Sequence, residues 1–446
     1  MSNFDLGRFD AGVRSTVYPQ APPGLYFPGD PGFPGSAAMK NTWAQFAPRT
    51  GLIWQPTEKT ALRAGWGQFF DTPQLFFNTR FANNPPWGAQ ITLTSPPGGL
   101  SNPWLTYPGG NPFPGLLTGW QNQAFPTAGV YVDAPIDTKP TTLQQWNVGL
   151  QHQLSSWLLT ASYLGNHSSH LWRATELNYA VFTPGATTAT TNARRVLVLR
   201  NPAYGAFYGT IGQLDDSGRA NYHGMLLSAQ RRLKTGLSVL ANYTLSKCMS
   251  DPATTELTGP TITDPNNPDL DYSACDSDRR HVVNTSVVWL SPAFSNKALD
   301  AVFGDWQIAP LIRWQSGSPY SVTTGVDNAL SGMGNQRAVQ VSDDIYGDRS
   351  VNNYLDINAF TSPQAGTYST LKPNAFYGPS RFQNDLALTK NFQLQAHRLQ
   401  FRWEVFNVLN KANFNNPTSA LNSTNFGRIL SAGDPRIMQF ALKYDF

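Results

Sequence analysis

The densest set of potential metal ligands in the chain is a run of side-chain oxygens, Asp264, Asn266, Asp269, Asp271, Asp276 and Asp278. Hard oxygen donors at that density suit Ca²⁺, but the spaced glycine and closing glutamate of a helix–loop–helix calcium site are missing. A hydrated acidic loop is the favoured reading. His167 and His170 stand three residues apart with no third ligand nearby, too few for a zinc site. Asp278 and His281 could be arranged as an acid–base pair, yet there is no G-x-S-x-G elbow, H-E-x-x-H or phosphate-binding loop to complete a site. Gly65-Trp-Gly67 opens like a dinucleotide fingerprint and then lacks its third glycine. No catalytic residue, metal ligand or cofactor is therefore assigned, and the chain is not read as an enzyme. Cys248 and Cys275, the only two cysteines, are either separate buried thiols or a disulfide between the ends of one loop. The disulfide would require an oxidising compartment.

Composition narrows the partners. Charged residues make up 13% of the 446, with a formal net charge of +4, about half the roughly 25% usual for soluble domains. Nucleic acid is excluded as a partner, because binding phosphates needs a clustered cationic face. An aromatic content of 13% argues against disorder. No run of 18 or more apolar residues offers a helical membrane span. A mean hydropathy of −0.34 leaves a membrane barrel open, since its strands are apolar on one face only. The N-terminus has no basic region followed by an apolar core, so no secretory signal peptide is read there.

Alternation with period two supplies the elements that would position these residues. Met438, Phe440, Leu442, Tyr444 and Phe446 share one face, with Gln439, Ala441, Lys443 and Asp445 on the other. Similar segments run over 46–54, 62–70, 146–154, 157–163, 222–233, 237–246, 283–289, 306–314, 386–394 and 399–406. Their length suits a tilted crossing of a bilayer, about 9–11 residues, better than a soluble sandwich strand of about 5–6. The gaps between them alternate strictly. Short ones fall at 55–59, 155–156, 234–236 and 395–397, a moderate one at 291–301, and long ones at 72–142, 167–220, 249–276, 317–379 and 412–435. An antiparallel membrane barrel has short periplasmic turns and long extracellular loops. A final strand ending in the periplasm places residues 1–42 in a further extracellular loop, with a partial barrel over 43–446.

Such a sheet would expose two unpaired edges to hydrocarbon, where each unsatisfied backbone group costs several kcal/mol. Bacterial barrels also use even strand numbers. The reading is an all-β fold, the C-terminal half, about eleven strands, of a 22-stranded antiparallel transmembrane barrel. Its partners are outer-membrane lipid and a missing N-terminal half with its plug.

Several blocks carry a family resemblance. Phe46-Ala-Pro-Arg-Thr-Gly-Leu-Ile-Trp54, Lys59-Thr-Ala-Leu-Arg-Ala-Gly-Trp-Gly67, Gln145-Trp-Asn147, Ser162-Tyr-Leu-Gly165, Asn242-Tyr-Thr-Leu-Ser-Lys247, Asp278-Arg-Arg-His281, Gly304-Asp-Trp306 and Phe406-Asn-Val-Leu-Asn410 span nearly the whole chain. Together they resemble the Oar-like TonB-dependent outer-membrane receptors. The resemblance implies a Gram-negative outer membrane and energised uptake of a solute: an iron complex, an oligosaccharide or a peptide. A surface adhesive protein and a passive porin-like channel are the competing functions. It also implies that the signal peptide, the carboxypeptidase-regulatory-like domain and the plug, through which the TonB complex acts, are absent here.

The site residues follow from these faces. Arg63, Arg232, Arg313, Arg402 and Glu404 fall on the polar side and are candidates to line a lumen. Facing lipid, each arginine would cost roughly 2–4 kcal/mol at mid-bilayer. Lys390 alone interrupts the apolar side and is expected to snorkel at the rim. Trp66, Trp157, Trp289, Trp306, Trp314 and Tyr444 read as interfacial girdle residues. The loop aromatics Trp87, Trp104, Trp120 and Tyr131 could stack on a ligand, although packing of the loops on themselves is the favoured reading. Phe446 resembles the terminal aromatic by which the barrel-assembly machinery recognises its substrates.

Overall fold

The computed structural model describes residues 2–35, 39–71, 81–88, 90–91, 93, 96–113, 125–234, 236–252, 262–334, 336–394 and 397–446. The fold is all-β with a few short helices. Eleven strands form one antiparallel path: β1 (Arg49–Thr57), β2 (Thr60–Phe70), β3 (Thr142–Leu154), β4 (Trp157–Glu176), β5 (Tyr208–Lys234), β6 (Leu237–Ser250), β7 (His281–Leu290), β8 (Trp306–Gln315), β9 (Arg381–Leu394), β10 (His397–Phe406) and β11 (Ile437–Asp445). Each pairs with its sequence neighbours, and Gly129–Asp133 adds a parallel pairing to the start of β5. The sheet does not close: β1 and β11 are its two ends, with one open edge each.

Register sorts the side chains into two continuous faces, because directly paired residues point the same way. One row runs Phe440↔Trp403↔Leu388↔Ile308 and the next runs Ala441↔Arg402↔Thr389↔Gln307. At the other end, Trp54↔Leu62↔Leu150↔Ala161 alternates with Ile53↔Arg63↔Gly149↔Ser162. One face is aliphatic and aromatic, and the opposite one carries most of the Arg, Gln, Asn, Ser and Thr. The apolar face is exposed in a way no aqueous sheet tolerates: Phe440 is 65% and Leu442 72% accessible. Its tryptophans collect near the strand ends. Trp157, Trp289 and Trp306 stand by the short turns, and Trp66, Trp146 and Trp314 stand toward the long connections. Trp306 and Trp314 are separated by about 27 Å of strand at ~3.4 Å per residue. Gly165 pairs with Trp146, and a Cβ there would collide with the indole, so glycine lets the ring lie across the strand.

Beyond the long-connection end stands a body of folded loop. β5 is far longer than a membrane crossing needs, and its first half forms the spine of this body. Phe4, Phe9, Leu25 and Phe27 of the N-terminal segment pack there on Tyr131, Leu197, Tyr208 and Ile211. A second cluster gathers Trp172, Ala174 and Leu214. A third holds Tyr320, Val322, Leu355 and Phe360 of the connection between β8 and β9.

Several boundaries differ from the expected ones: β3 begins at Thr142 and β9 at Arg381, four and five residues before their periodic segments. The 167–220 loop narrows to 177–207, because the β4–β5 hairpin continues outward to Glu176 and from Tyr208. Register shifts around Leu171 and a left-handed His170 (φ 54°) break the two-residue period there. β1 starts at Arg49, three residues later than the alternation suggests. The 291–301 connection holds a helix, Lys297–Phe303, capped by Asn296, whose side chain accepts from the Ala298 and Leu299 amides.

Candidate functional site

Arg63, Arg313, Arg402 and Glu404 all project from the polar face, whereas Arg232 falls where the β5–β6 register shifts between Arg231 and Lys234 and no pairing assigns its side. Arg63 lines a groove of ≈ 450 Å³ with Asn147, Gln151, Thr160 and Ser162. Arg313 lies between Asn284 and Gln383 of the flanking strands. Arg402 Nη2 meets Glu404 Oε1 at 2.9 Å. These groups are spread across the sheet from β2 to β10 rather than gathered at one point. Such a surface can hydrogen-bond and electrostatically guide a polar solute. Lys390 sits on the apolar face as expected but is 3% accessible. Its Nζ donates to the Gly304 carbonyl at 2.5 Å and lies 5.1 Å from the centre of the Phe392 ring. The ammonium thus reaches toward the short-turn end while its stem stays among apolar neighbours.

The acidic run does not converge. Asp271 pairs with Arg337 Nη1 at 2.5 Å, buried on both sides, and also accepts from the Thr263 amide. Asp269 meets Arg219 at 3.1 Å. Asp276 accepts from Asn374 Nδ2, and Asp264 accepts from the Asn266 amide. Asp278 accepts from the Cys248 amide at 2.8 Å and from the Tyr377 hydroxyl at 2.9 Å. Burial and this carboxylate together push the Tyr377 phenol up to about 12. Asp264 thus shapes its own turn, whereas Asp269, Asp271, Asp276 and Asp278 each tie this stretch to a distant segment. Among the described residues no three His, Cys, Asp or Glu side chains come together as a metal site. His281 bonds the Tyr243 hydroxyl instead of Asp278. His167 and His170 lie within β4, the first against Asn221 and the second against Asp216. Cys248 and Cys275 are joined as a disulfide, with Cα atoms 5.4 Å apart.

The loop aromatics separate. Trp87 is 37% accessible and packs edge-on against Tyr18 and Phe27. Trp104 packs against Tyr107 and Phe113. Trp120 lies outside the described residues. Tyr131 must be corrected: it is 1% accessible, closed in by Tyr208, and offers no ring face to a ligand. Phe446 is 96% accessible at the end of β11, with its ring stacked on Tyr444.

Polar groups buried in the outer body escape sequence reading. Asp133 accepts from the Phe4 amide at 2.7 Å and from Gln213 Nε2 at 2.6 Å, and burial pushes its carboxyl up to about 6. Burial also raises Glu176, against the Ile211 and Asn178 amides that it accepts from. Arg173 bridges Asp215 at 2.8 Å and Asp251 at 3.5 Å. No local spacing announces these partners.

No curated protein matches the chain. Among solved structures it is similar to the ferric preacinetobactin receptor BauA of Acinetobacter baumannii (12% identity, TM-score 0.41), covering 90% of this chain and 36% of that one. It is also similar to the outer membrane transporter YddB of Escherichia coli (12% identity, TM-score 0.47), covering 89% and 40%. The ferric enterobactin receptor PfeA of Pseudomonas aeruginosa gives 14% identity, a TM-score of 0.45 and coverage of 89% and 40%. The chain thus spans two-fifths or less of the length of these proteins. The family model described as outer membrane beta barrel domain matches residues 1–439. Its two-faced, girdled sheet has the side-chain distribution such a domain needs, and the chain belongs to that family and to the outer membrane.

Proposed function

We propose that this chain is the barrel portion of a TonB-dependent receptor that takes up a solute, with the apolar face toward lipid and the polar face toward a lumen. One observation carries the reading: arginines from β2 to β10 share one face of a sheet whose other face is apolar and girdled with tryptophan. Two further features fit. The folded body beyond the long connections is far larger than connectors require, and the sequence blocks resemble the Oar-like receptors. The open edges of β1 and β11 are then closed by further strands, because hydrocarbon does not tolerate a row of unpaired N–H and C=O groups. TonB acts through a plug carried by the remainder of the receptor, and the barrel-assembly machinery reads the terminal Phe446. The solute is an iron complex, an oligosaccharide or a peptide.

The test is accumulation of radiolabelled members of these three classes by cells bearing the complete receptor, with and without TonB. Uptake of one class that is lost without TonB supports the proposal. Equal entry in both strains identifies a passive channel. Failure of every class, together with loss of cell cohesion on deleting the outer body, identifies an adhesive protein.

A further inference from the structure

We infer that the helix Lys297–Phe303 is an interfacial anchor, lying in the headgroup and upper acyl region of the periplasmic phospholipid leaflet. The connection it occupies joins β7 to β8 at the short-turn end. The other turns there are polar, as at Gln55-Pro-Thr-Glu-Lys59 and Ser155-Ser156. This one carries four large apolar side chains, all exposed: Phe294 at 38%, Leu299 at 47%, Val302 at 57% and Phe303 at 56%. Leu299, Val302 and Phe303 share one face of the helix by their spacing, and Phe294 packs edge-on against Phe303 with ring centres 6.5 Å apart.

Two contacts fix which side of the sheet the helix takes. Trp306, on the apolar face of β8, donates its indole N–H to the Val302 carbonyl at 2.7 Å. Lys390, on the same face of β9, donates to the Gly304 carbonyl that follows the helix. The apolar side chains therefore continue the belt of Trp289 and Trp306 instead of projecting under the lumen. The exposed Lys297 ammonium at the helix start complements a phosphate headgroup. An amphipathic segment continuous with an aromatic belt, with a cation at its edge, is what an anionic lipid interface binds. The helix is also held rigidly. Asn296 caps its start, and Asp300 accepts from the Phe294 amide at 2.8 Å. Among the described residues its apolar face stays exposed.

The inference rests on the membrane reading above, and its test separates the two. The complete receptor is reconstituted in phosphatidylethanolamine–phosphatidylglycerol vesicles, and a polarity-sensitive fluorophore is attached to Val302→Cys, Glu58→Cys or Leu442→Cys in turn. The native cysteines are paired with each other and do not compete for the label. The Val302 label should emit at shorter wavelength than the Glu58 label and be quenched about threefold more by lipids brominated near the glycerol than by aqueous iodide. Emission and iodide quenching equal to those at Glu58 overturn the inference. Shielding from both quenchers also overturns it, since protein would then cover the helix. Leu442, on the apolar face of β11, must be quenched by brominated lipid in either case. Its failure would count against the membrane reading instead.

Discussion

Asp133 holds the amide of Phe4, so a carboxylate with almost no solvent contact anchors the N-terminal segment to the outer body. Its raised pKa means that the folded state keeps a proton which the unfolded chain gives up. Stability from this group is complete below about pH 4, falls as pH rises toward about 6, and then stays low. Asp133→Asn removes that dependence. At pH 7.5 it should strengthen the packing by on the order of 1–3 kcal/mol, read as slower hydrogen exchange at the Phe4 amide. At pH 4 the variant and the parent should exchange alike. Faster exchange in the variant at pH 7.5 would show that the ionised carboxylate is the better acceptor. Facing at the level of single residues was legible from sequence, since Arg63, Arg313, Arg402 and Lys390 needed only the two-residue period. Asp133 was not, because its partner lies 129 residues away and belongs to a different segment. The same holds for Asp271, whose neutralising Arg337 is 66 residues distant.

Strands were easier to read than what interrupts them. β6, β10 and β11 alternate cleanly, and their extents differ little from the periodic segments. The outer half of the β4–β5 hairpin was hidden because bulges near Leu171 shift the alternation from one face to the other. The Lys297–Phe303 helix was hidden for another reason: seven residues give scarcely two turns, too few for a helical period to stand out. The disulfide fixes the connection that follows β6 to its own start, across a sequence separation of 27. By loop-closure entropy this contributes about 3.5 kcal/mol to that unit. Replacing Cys248 and Cys275 together by Ser should make the 262–278 stretch the first cut by protease added to intact cells, with the strand core unaffected. Equal resistance in the two proteins would assign the hold on that stretch to Arg337 and Asn374 instead.

At the scale of the whole molecule, the parity of gap lengths separated the short-turn end of the sheet from the long-connection end before any contact was known, a sorting expected when turns and loops on opposite sides of a membrane face different constraints. Closure could not be read the same way, since the strands that would meet β1 and β11 leave no mark on either strand's own pattern. The open edges yield a prediction. Expressed alone in detergent, this chain should give no heat-modifiable, protease-resistant band, whereas the complete receptor should. Such a band from the chain alone would show that β1 and β11 can satisfy each other.

The crosslink between Cys248 and Cys275 also bears on the order of events in time. Thiol oxidants work in the periplasm, so if the long connections face outward as proposed, the ring closes before the β6–β7 hairpin reaches the surface, and the hairpin crosses as two chain segments already fastened together.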